Sequence, residues 1–221
     1  MNRLLLWPAL LAMPAAQAIT LDFGQQSPAP TICTAVASGL GPLVSCGDGS
    51  YLSQTYGDLA GVVDVTYSAP RLSGESLHWW STDYNTLYGV AWAGGGDANS
   101  LGRIELKPVV SGEVVTLQSF DLGAWPNSAR GSTVTVYAIG GGTALFSWSG
   151  TVGQSGNLPT HFTPGVSSAT GLWIEWRDSA YNVGIDNIHY TVGAVPEPAA
   201  WLSLAAGLVG LAGWARRRPP R

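Results

Sequence analysis

SARGSTVTVYAIGGG, residues 128–142, carries the pattern that decides the fold of this 221-residue chain. Val134 and Val136 alternate with threonines, and three consecutive glycines follow shortly afterwards. Side chains point alternately to the two faces of a β-strand, so this spacing predicts a strand with one buried face. The glycines predict a turn at the end of that strand.

The same period-two alternation recurs along most of the chain. Further strands are predicted at residues 19–23, 61–67, 77–80, 89–92, 102–106, 114–121, 143–153, 171–179 and 183–192. Turn residues separate these segments, and no convincing amphipathic helix lies between them. The pattern predicts an all-β domain, a two-sheet jelly-roll-like β-sandwich with an even strand count near eight or ten.

The first 18 residues have the three parts of a secretory signal peptide. Arg3 supplies the positive charge, and residues 4–12 form the apolar stretch. Residues 16–18 read Ala-Gln-Ala, which fits the small-x-small cleavage pattern. The sequence therefore predicts export, with a mature domain over residues 19–194.

The C-terminal segment, residues 195–221, differs in composition from the domain before it. Residues 199–215 are uncharged and apolar, long enough to cross a bilayer as one short helix, and Trp201 and Trp214 lie near the two ends. The arginines that follow place the C-terminus in the cytoplasm by the positive-inside rule. A buried soluble helix is the alternative, but this segment has no polar face to show to water.

A Pro-Glu-Pro tripeptide precedes the apolar run and three arginines follow it, and the order of these parts resembles the PEP-CTERM sorting signal of Gram-negative bacteria. The same segment is also labelled the ice-binding protein C-terminal domain. The residues that carry the resemblance are Pro196, Glu197, Pro198, Arg216, Arg217 and Arg218. It implies an intermediate anchored in the inner membrane and cut by an exosortase, a membrane protease. The released protein would reach the cell surface or the extracellular matrix, often in species that make exopolysaccharide.

The domain between the two terminal segments is acidic. It holds 13 acidic and 5 basic residues, which makes its net charge −8. Nucleic-acid binding needs clustered lysine and arginine to neutralise phosphates, so nucleic acid is not expected as a partner. Its length of about 176 residues suits one domain.

Cys33 and Cys46 are the only cysteines of the chain. In an exported protein an even pair is best explained by a disulfide. The alternative is a metal-binding or redox pair, but no histidine lies near them and the spacing is far from C-x-x-C.

Aromatic residues are the strongest indication of a ligand. The segment at residues 77–100, LHWWSTDYNTLYGVAWAGGGDANS, combines tryptophans with acidic and amide side chains. Aromatic rings cover the apolar face of a sugar and polar groups orient its hydroxyls, so the segment is a candidate glycan platform. The candidate contacts are Trp79, Trp80, Trp92, Asp83 and Asp97. The alternative is that most of these tryptophans fill the core, and neighbours in a strand point to opposite faces.

Two stretches, SFDLGAWPNS at residues 119–128 and NVGIDNIHYT at residues 182–191, are similar to parts of other exported domains that precede this kind of tail. The general pattern is also similar to carbohydrate-binding jelly rolls with a structural calcium near the last strand. That likeness makes Asp186, with Asp22 nearby, a candidate calcium pair; no other cofactor is expected. The alternative is that Asp186 bonds to backbone at the strand entry.

Catalysis has little support in the sequence. No G-x-S-x-G or H-E-x-x-H motif occurs, and the spacing of the glutamates selects no catalytic pair. We therefore expect a non-enzymatic surface or matrix protein associated with exopolysaccharide or biofilm. A carbohydrate-binding module is the alternative, and a polysaccharide-active enzyme is a distant third.

Overall fold

The computed structural model describes residues 16–24, 32–154, 156–194 and 207. It is all-β, as the alternation predicts, and its strands form two sheets that pack face to face as a sandwich. The paired strands are antiparallel throughout the described residues.

The smaller sheet has five strands in the order β11-β10-β14-β8-β5. Their bounds are β5 (Val63–Ser68), β8 (Leu101–Pro108), β10 (Arg130–Ala138), β11 (Phe146–Val152) and β14 (Leu172–Arg177). The quoted stretch supplies β10, which pairs with β11 on one side and β14 on the other.

The larger sheet has ten strands, and the two longest, β9 and β15, pair along nearly their whole length. The strands are β1 (Gln17–Leu21), β2 (Cys33–Thr34), β3 (Leu43–Val44), β4 (Tyr51–Leu52), β6 (His78–Trp80), β7 (Val90–Trp92), β9 (Glu113–Ala124), β12 (Thr160–Phe162), β13 (Val166–Ser168) and β15 (Val183–Ala194). β1 pairs with the far side of β15 and β13 with β9.

The core lies between the two sheets. Every second residue of β5, β8 and β14 is buried, whereas the central part of β10 is buried on both faces, threonines included. Val134 on β10 is opposite Trp176 on β14, and both are fully buried. On β8, Gly102 is opposite the same tryptophan, where a Cβ atom would lie only 2.5 Å from the ring. The indole Nε1–H of Trp176 donates to the carbonyl of Val183 at 2.8 Å, so its one polar atom is satisfied in the core.

The structure has more strands than the eight or ten expected. The additional ones include β2, β3, β4, β12 and β13, which are two or three residues long. Segments of that length are too short to show an alternating pattern, so sequence periodicity does not reveal them. Two of them carry the disulfide: Cys33 lies on β2, Cys46 follows β3, and their Cα atoms are 5.2 Å apart.

The two terminal segments meet the sandwich at neighbouring strands. β1 begins at Gln17, two residues before the predicted start of the mature chain, and β15 ends at Ala194. Apart from residue 207, the predicted transmembrane helix at residues 199–215 lies outside the described residues, as does most of the predicted signal peptide. Among the residues described, no helix is long and apolar enough to cross a membrane.

Candidate functional site

A cluster of aromatic side chains forms a pocket at one end of the sandwich. Its empty volume is about 270 Å³, part of which is open to solvent. We call it the aromatic pocket; it is lined by Trp80, Tyr84, Trp92, Trp125, Tyr181 and Asn182.

Four separate parts of the chain supply this lining. Trp80 and Trp92 come from the adjacent short strands β6 and β7. Trp125 follows the last residue of β9, and Tyr181 with Asn182 immediately precedes β15. Because β9 and β15 are antiparallel partners, the end of one and the start of the other lie side by side.

The rings of the aromatic pocket meet edge to face and do not form a flat plate. Trp80 is tilted 78° to Trp92 and 75° to Trp125, with centroids 6.2 and 6.3 Å apart. Tyr181 stands at 90° to Trp92 at 5.1 Å and is 41% exposed. This arrangement makes walls around a small volume, whereas a platform for a long chain needs coplanar rings.

Trp92 is held from behind by a second stack. Its ring lies 4.4 Å from that of His78 at an angle of 19°, and His78 in turn contacts Tyr51. The Nε1 atom of Trp92 is buried and has no hydrogen-bond partner among the described residues. An unpaired buried donor of this kind costs roughly 1–3 kcal/mol.

A polar network supports the open side of the aromatic pocket. The amide of Asn182 donates to Asp97 at 2.5 Å, and Asp97 lies 3.8 Å from the guanidinium of Arg130. Arg130 also donates to the carbonyl of Trp125 at 2.9 Å, and the amide N–H of Trp125 donates to the carbonyl of Asn182 at 2.8 Å. The network fixes the backbone that carries two walls of the pocket.

Tyr84 reaches the pocket because two glycines let its loop lie directly on the sheet. Gly123 on β9 and Gly184 on β15 are register partners, and both face Tyr84. A Cβ atom at Gly184 would lie 2.5 Å from Val90 Cγ2 and 3.0 Å from Tyr84 Cδ1. The hydroxyl of Tyr84 donates to the carbonyl of Tyr181 at 3.0 Å, and burial raises the pKa of this phenol, so it stays neutral.

The predicted glycan contacts are divided between the pocket and the core. Trp80 and Trp92 line the pocket, as does the unselected Trp125. Trp79 is 2% exposed, and its Nε1–H donates to the carbonyl of Phe23 at 2.9 Å, so it belongs to the core. The reason is that Trp79 and Trp80 point to opposite faces of β6.

The two predicted acidic contacts are not among the lining residues; each bonds to a residue in or near the lining. Asp97 bonds to Asn182, as described above. Asp83 accepts from the side-chain amide of Asn127 at 3.2 Å, two residues after Trp125. Three lining residues were not predicted as contacts: Trp125, Tyr181 and Asn182. They lie in or beside the two stretches similar to other exported domains.

Asp22 and Asp186, the candidate calcium pair, line a common depression with Asn187 and the loop at residues 86–88. Each carboxylate already accepts a backbone N–H: Asp22 from Gly24 at 2.6 Å and Asp186 from Phe23 at 2.9 Å. Burial raises the pKa of Asp186 from 3.8 to about 7, and hydrogen bonds from the backbone N–H groups of Phe23 and Asn187 offset part of the rise.

The donor set around that pair is thin for calcium, which takes six to eight oxygen ligands. Within residues 16–24, 32–154 and 156–194, no group of three or more His, Cys, Asp or Glu side chains could hold a metal ion. The backbone bonds of Asp186 match the alternative interpretation, a carboxylate that holds the strand entry. Calcium at this pair stays a prediction.

A second polar cluster lies on the outer face of the five-stranded sheet. The guanidinium of Arg103 lies 4.2 Å from the centre of the Trp173 ring and donates to Glu175 at 2.6 Å. The Nε1–H of Trp173 donates to Glu105. Each of these groups has a partner within the cluster, and the cluster lies on a different sheet from β6 and β7 of the aromatic pocket.

Comparison with known families identifies the C-terminal segment. A family model described as the PEP-CTERM protein-sorting motif matches residues 194–218, which contain the Pro-Glu-Pro and the arginines. The match starts at the last residue of β15, so the sorting signal follows the sandwich directly. Comparison with curated proteins finds no match to this chain. The resemblance stated from the sequence is confirmed, and the chain is an exported protein that carries a PEP-CTERM tail and is sorted by an exosortase.

Proposed function

We propose that this protein is a carbohydrate-binding component of the cell surface or extracellular matrix, and that one sugar unit binds in the aromatic pocket. The observation that carries the proposal is the convergence of Trp80, Trp92, Trp125 and Tyr181 from distant parts of the chain onto one partly open volume. The PEP-CTERM tail supports the proposal because it sorts the domain to the cell surface, where the resemblance implies that exopolysaccharide is present.

The chemistry of the lining supports a sugar. Sugar rings have apolar C–H faces that pack on indole and phenol rings, and a rim of hydroxyls that needs polar partners. The rim partners here are Asn182 and the Tyr181 hydroxyl.

The size of the pocket favours a single ring. Its cavity volume is about 50 Å³, far below the range of roughly 300–1,000 Å³ that encloses drug-sized ligands, so a bound sugar ring would remain partly in solvent. The perpendicular rings leave no flat track along which a polysaccharide chain could lie. We therefore expect recognition of a chain end or a side branch, and not of the middle of a straight polymer.

We propose binding and not catalysis. Asp97 accepts a hydrogen bond from Asn182 of the pocket lining and lies 3.8 Å from Arg130, which leaves it poorly placed to move a proton to a bound sugar. Glu175 lies on the other sheet and is paired with Arg103 at 2.5 Å. A paired-carboxylate mechanism needs two acids across one cleft, and these two side chains do not share one.

The proposed site lies at one end of the sandwich, where a polymer outside the cell could reach it. A structural or adhesive matrix role without a specific ligand is the second candidate. It is favoured by the burial of Trp79 and Trp176, which assigns part of the tryptophan content to the core.

The test uses the full chain in detergent micelles on an array of mono- and oligosaccharides, with and without Ca²⁺, followed by calorimetry on the best binder. We expect Trp125→Ala and Trp80→Ala to weaken that binder by about tenfold or more, as for central aromatic contacts. The matched control is Trp173→Ala, a half-buried tryptophan on the other sheet. It should leave the affinity unchanged.

Two results would count against a sugar in the aromatic pocket. One is the absence of binding to any saccharide, which leaves the ligand-free matrix role. The other is an equal loss of affinity in Trp173→Ala and Trp125→Ala, which would move the binding surface away from the pocket. Loss of binding only when Ca²⁺ is removed would favour the Asp22 and Asp186 pair.

A further inference from the structure

β15 connects the two functional ends of the sandwich. It begins at Val183, next to Asn182 of the aromatic pocket, and ends at Ala194, where the sorting tail begins. Its 12 residues span about 36 Å at the usual rise of about 3.3 Å per residue. The pocket and the tail therefore lie at opposite ends of the molecule.

The N-terminus meets the sandwich at the same end as the tail. Gln17, the first residue of β1, is paired in register with Val192, two residues before β15 ends. The predicted signal peptide, before its removal, and the apolar run at residues 199–215 are thus connected to the same end of the sandwich.

The connection between the sandwich and the membrane segment is short. Four residues, 195–198, separate Ala194 from the start of the apolar run. A chain of this length reaches at most about 17 Å from Ala194 to residue 199, at 3.3–3.6 Å per residue. Headgroups occupy about 6 Å of that distance, since they add about 10–15 Å to a 30 Å hydrocarbon core. The tail end of the folded domain is therefore held within about 10 Å of the headgroups.

An apolar turn projects from that end. It consists of residues 109–112, between β8 and β9, and we call it the tail-end turn. Glu113 is paired in register with Ala194, so the turn lies beyond the last pair of the sheet. Val109 and Val110 are each 45% exposed, although the turn is fixed by a bond from the Val109 N–H to the Val62 carbonyl.

We propose that Val109 and Val110 rest on the lipid bilayer while the protein is anchored, which points the aromatic pocket away from the membrane. This inference depends on the membrane-anchored intermediate, and not on what the pocket binds. Exposed apolar side chains held at a headgroup surface gain by leaving water. Near the turn, Lys107 is paired in register with Asp64, and Glu113 follows the turn directly, so one basic and two acidic residues offer no net attraction to anionic lipid. The contact is therefore apolar and not a response to anionic lipid.

The experiment places one environment-sensitive fluorophore on the full chain in vesicles of phosphatidylcholine, with or without phosphatidylglycerol. The label is attached at Ser111→Cys, which keeps both valines, or at the matched control Ser128→Cys. Both serines are exposed and lie in the turns at the two ends of β9. The native cysteines are joined in a disulfide and do not compete for the label.

We expect lipid-borne quenchers to reduce emission at position 111 several-fold more than at position 128, equally in both lipid mixtures. Replacing both valines, Val109→Ser with Val110→Ser, should bring quenching at position 111 down toward the level at position 128. Equal quenching at the two positions, or none at position 111 in protein that floats with the vesicles, would overturn the proposal. Failure of the protein to float with the vesicles would refute both the membrane anchor and the docking of the valines. It would not bear on carbohydrate binding, which is measured separately in detergent.

Discussion

Gly184 offers the most direct test of how the aromatic pocket is built. Replacement by alanine places a Cβ atom 2.5 Å from Val90 Cγ2, 2.8 Å from Val90 Cβ and 3.0 Å from Tyr84 Cδ1. The Cβ of Val90 belongs to a buried strand and cannot rotate away, so either β7 or the Tyr84 loop has to shift. Overpacking of this kind costs about 1–3 kcal/mol.

The matched control is Gly131→Ala on β10. Gly131 also lies in a strand, but nothing comes within 4 Å of its added Cβ atom. Alanine at such a position restricts the unfolded chain and is expected to stabilise by about 0.4–1 kcal/mol. Because this effect on the unfolded chain is common to both variants, they should differ by the overpacking cost, about 1–3 kcal/mol in the free energy of unfolding.

Urea unfolding followed by tryptophan fluorescence measures this difference, provided the dependence on urea concentration is the same for both variants. In a thermal scan, a loss of about 2 kcal/mol corresponds to a fall in Tm of about 4–8 °C for a domain of this size. Because Tyr84 lines the pocket, Gly184→Ala should also weaken saccharide binding, while Gly131→Ala should not. Equal stability of the two variants would refute the close packing of the Tyr84 loop on the sheet.

Three further predictions concern the core, the disulfide and the buried carboxylate. Trp79→Phe leaves the Phe23 carbonyl unpaired and should cost about 1–3 kcal/mol in chemical unfolding, with saccharide affinity unchanged; a weaker affinity would contradict its place in the core. Replacing Cys33 and Cys46 by serine should lower the free energy of unfolding by about 3 kcal/mol, which is the loop-closure value for a sequence separation of 13. An unchanged unfolding midpoint would contradict this prediction. Burial raises the pKa of Asp186 to about 7, so the folded state holds the proton more tightly than the unfolded state. The free energy of unfolding of the wild type should therefore fall by about 3 kcal/mol from pH 4 to pH 7, whereas Asp186→Asn should lack that fall; parallel pH profiles for the two proteins would disprove it.

The sequence alone was sufficient for features that are local along the chain. Alternation of Val134 and Val136 with threonines determines an amphipathic strand without reference to any other segment, because the period of two is a property of the strand itself. The PEP-CTERM tail is likewise a contiguous signal, read from residues 194–218. The two-residue strands β2, β3 and β4 were beyond reach, because two residues contain no period.

Only the tertiary structure decided which aromatic residues share a site and where that site points. Trp80 and Tyr181 are about a hundred positions apart, and they meet because β7 pairs with β15 in the larger sheet. Which of Trp79 and Trp80 is the exposed ring depended on which face of β6 packs against the second sheet. Local alternation does not determine which face that is. The placement of the aromatic pocket about 36 Å from the tail follows from the length of β15 and its antiparallel pairing with β9, which are properties of the assembled sheet.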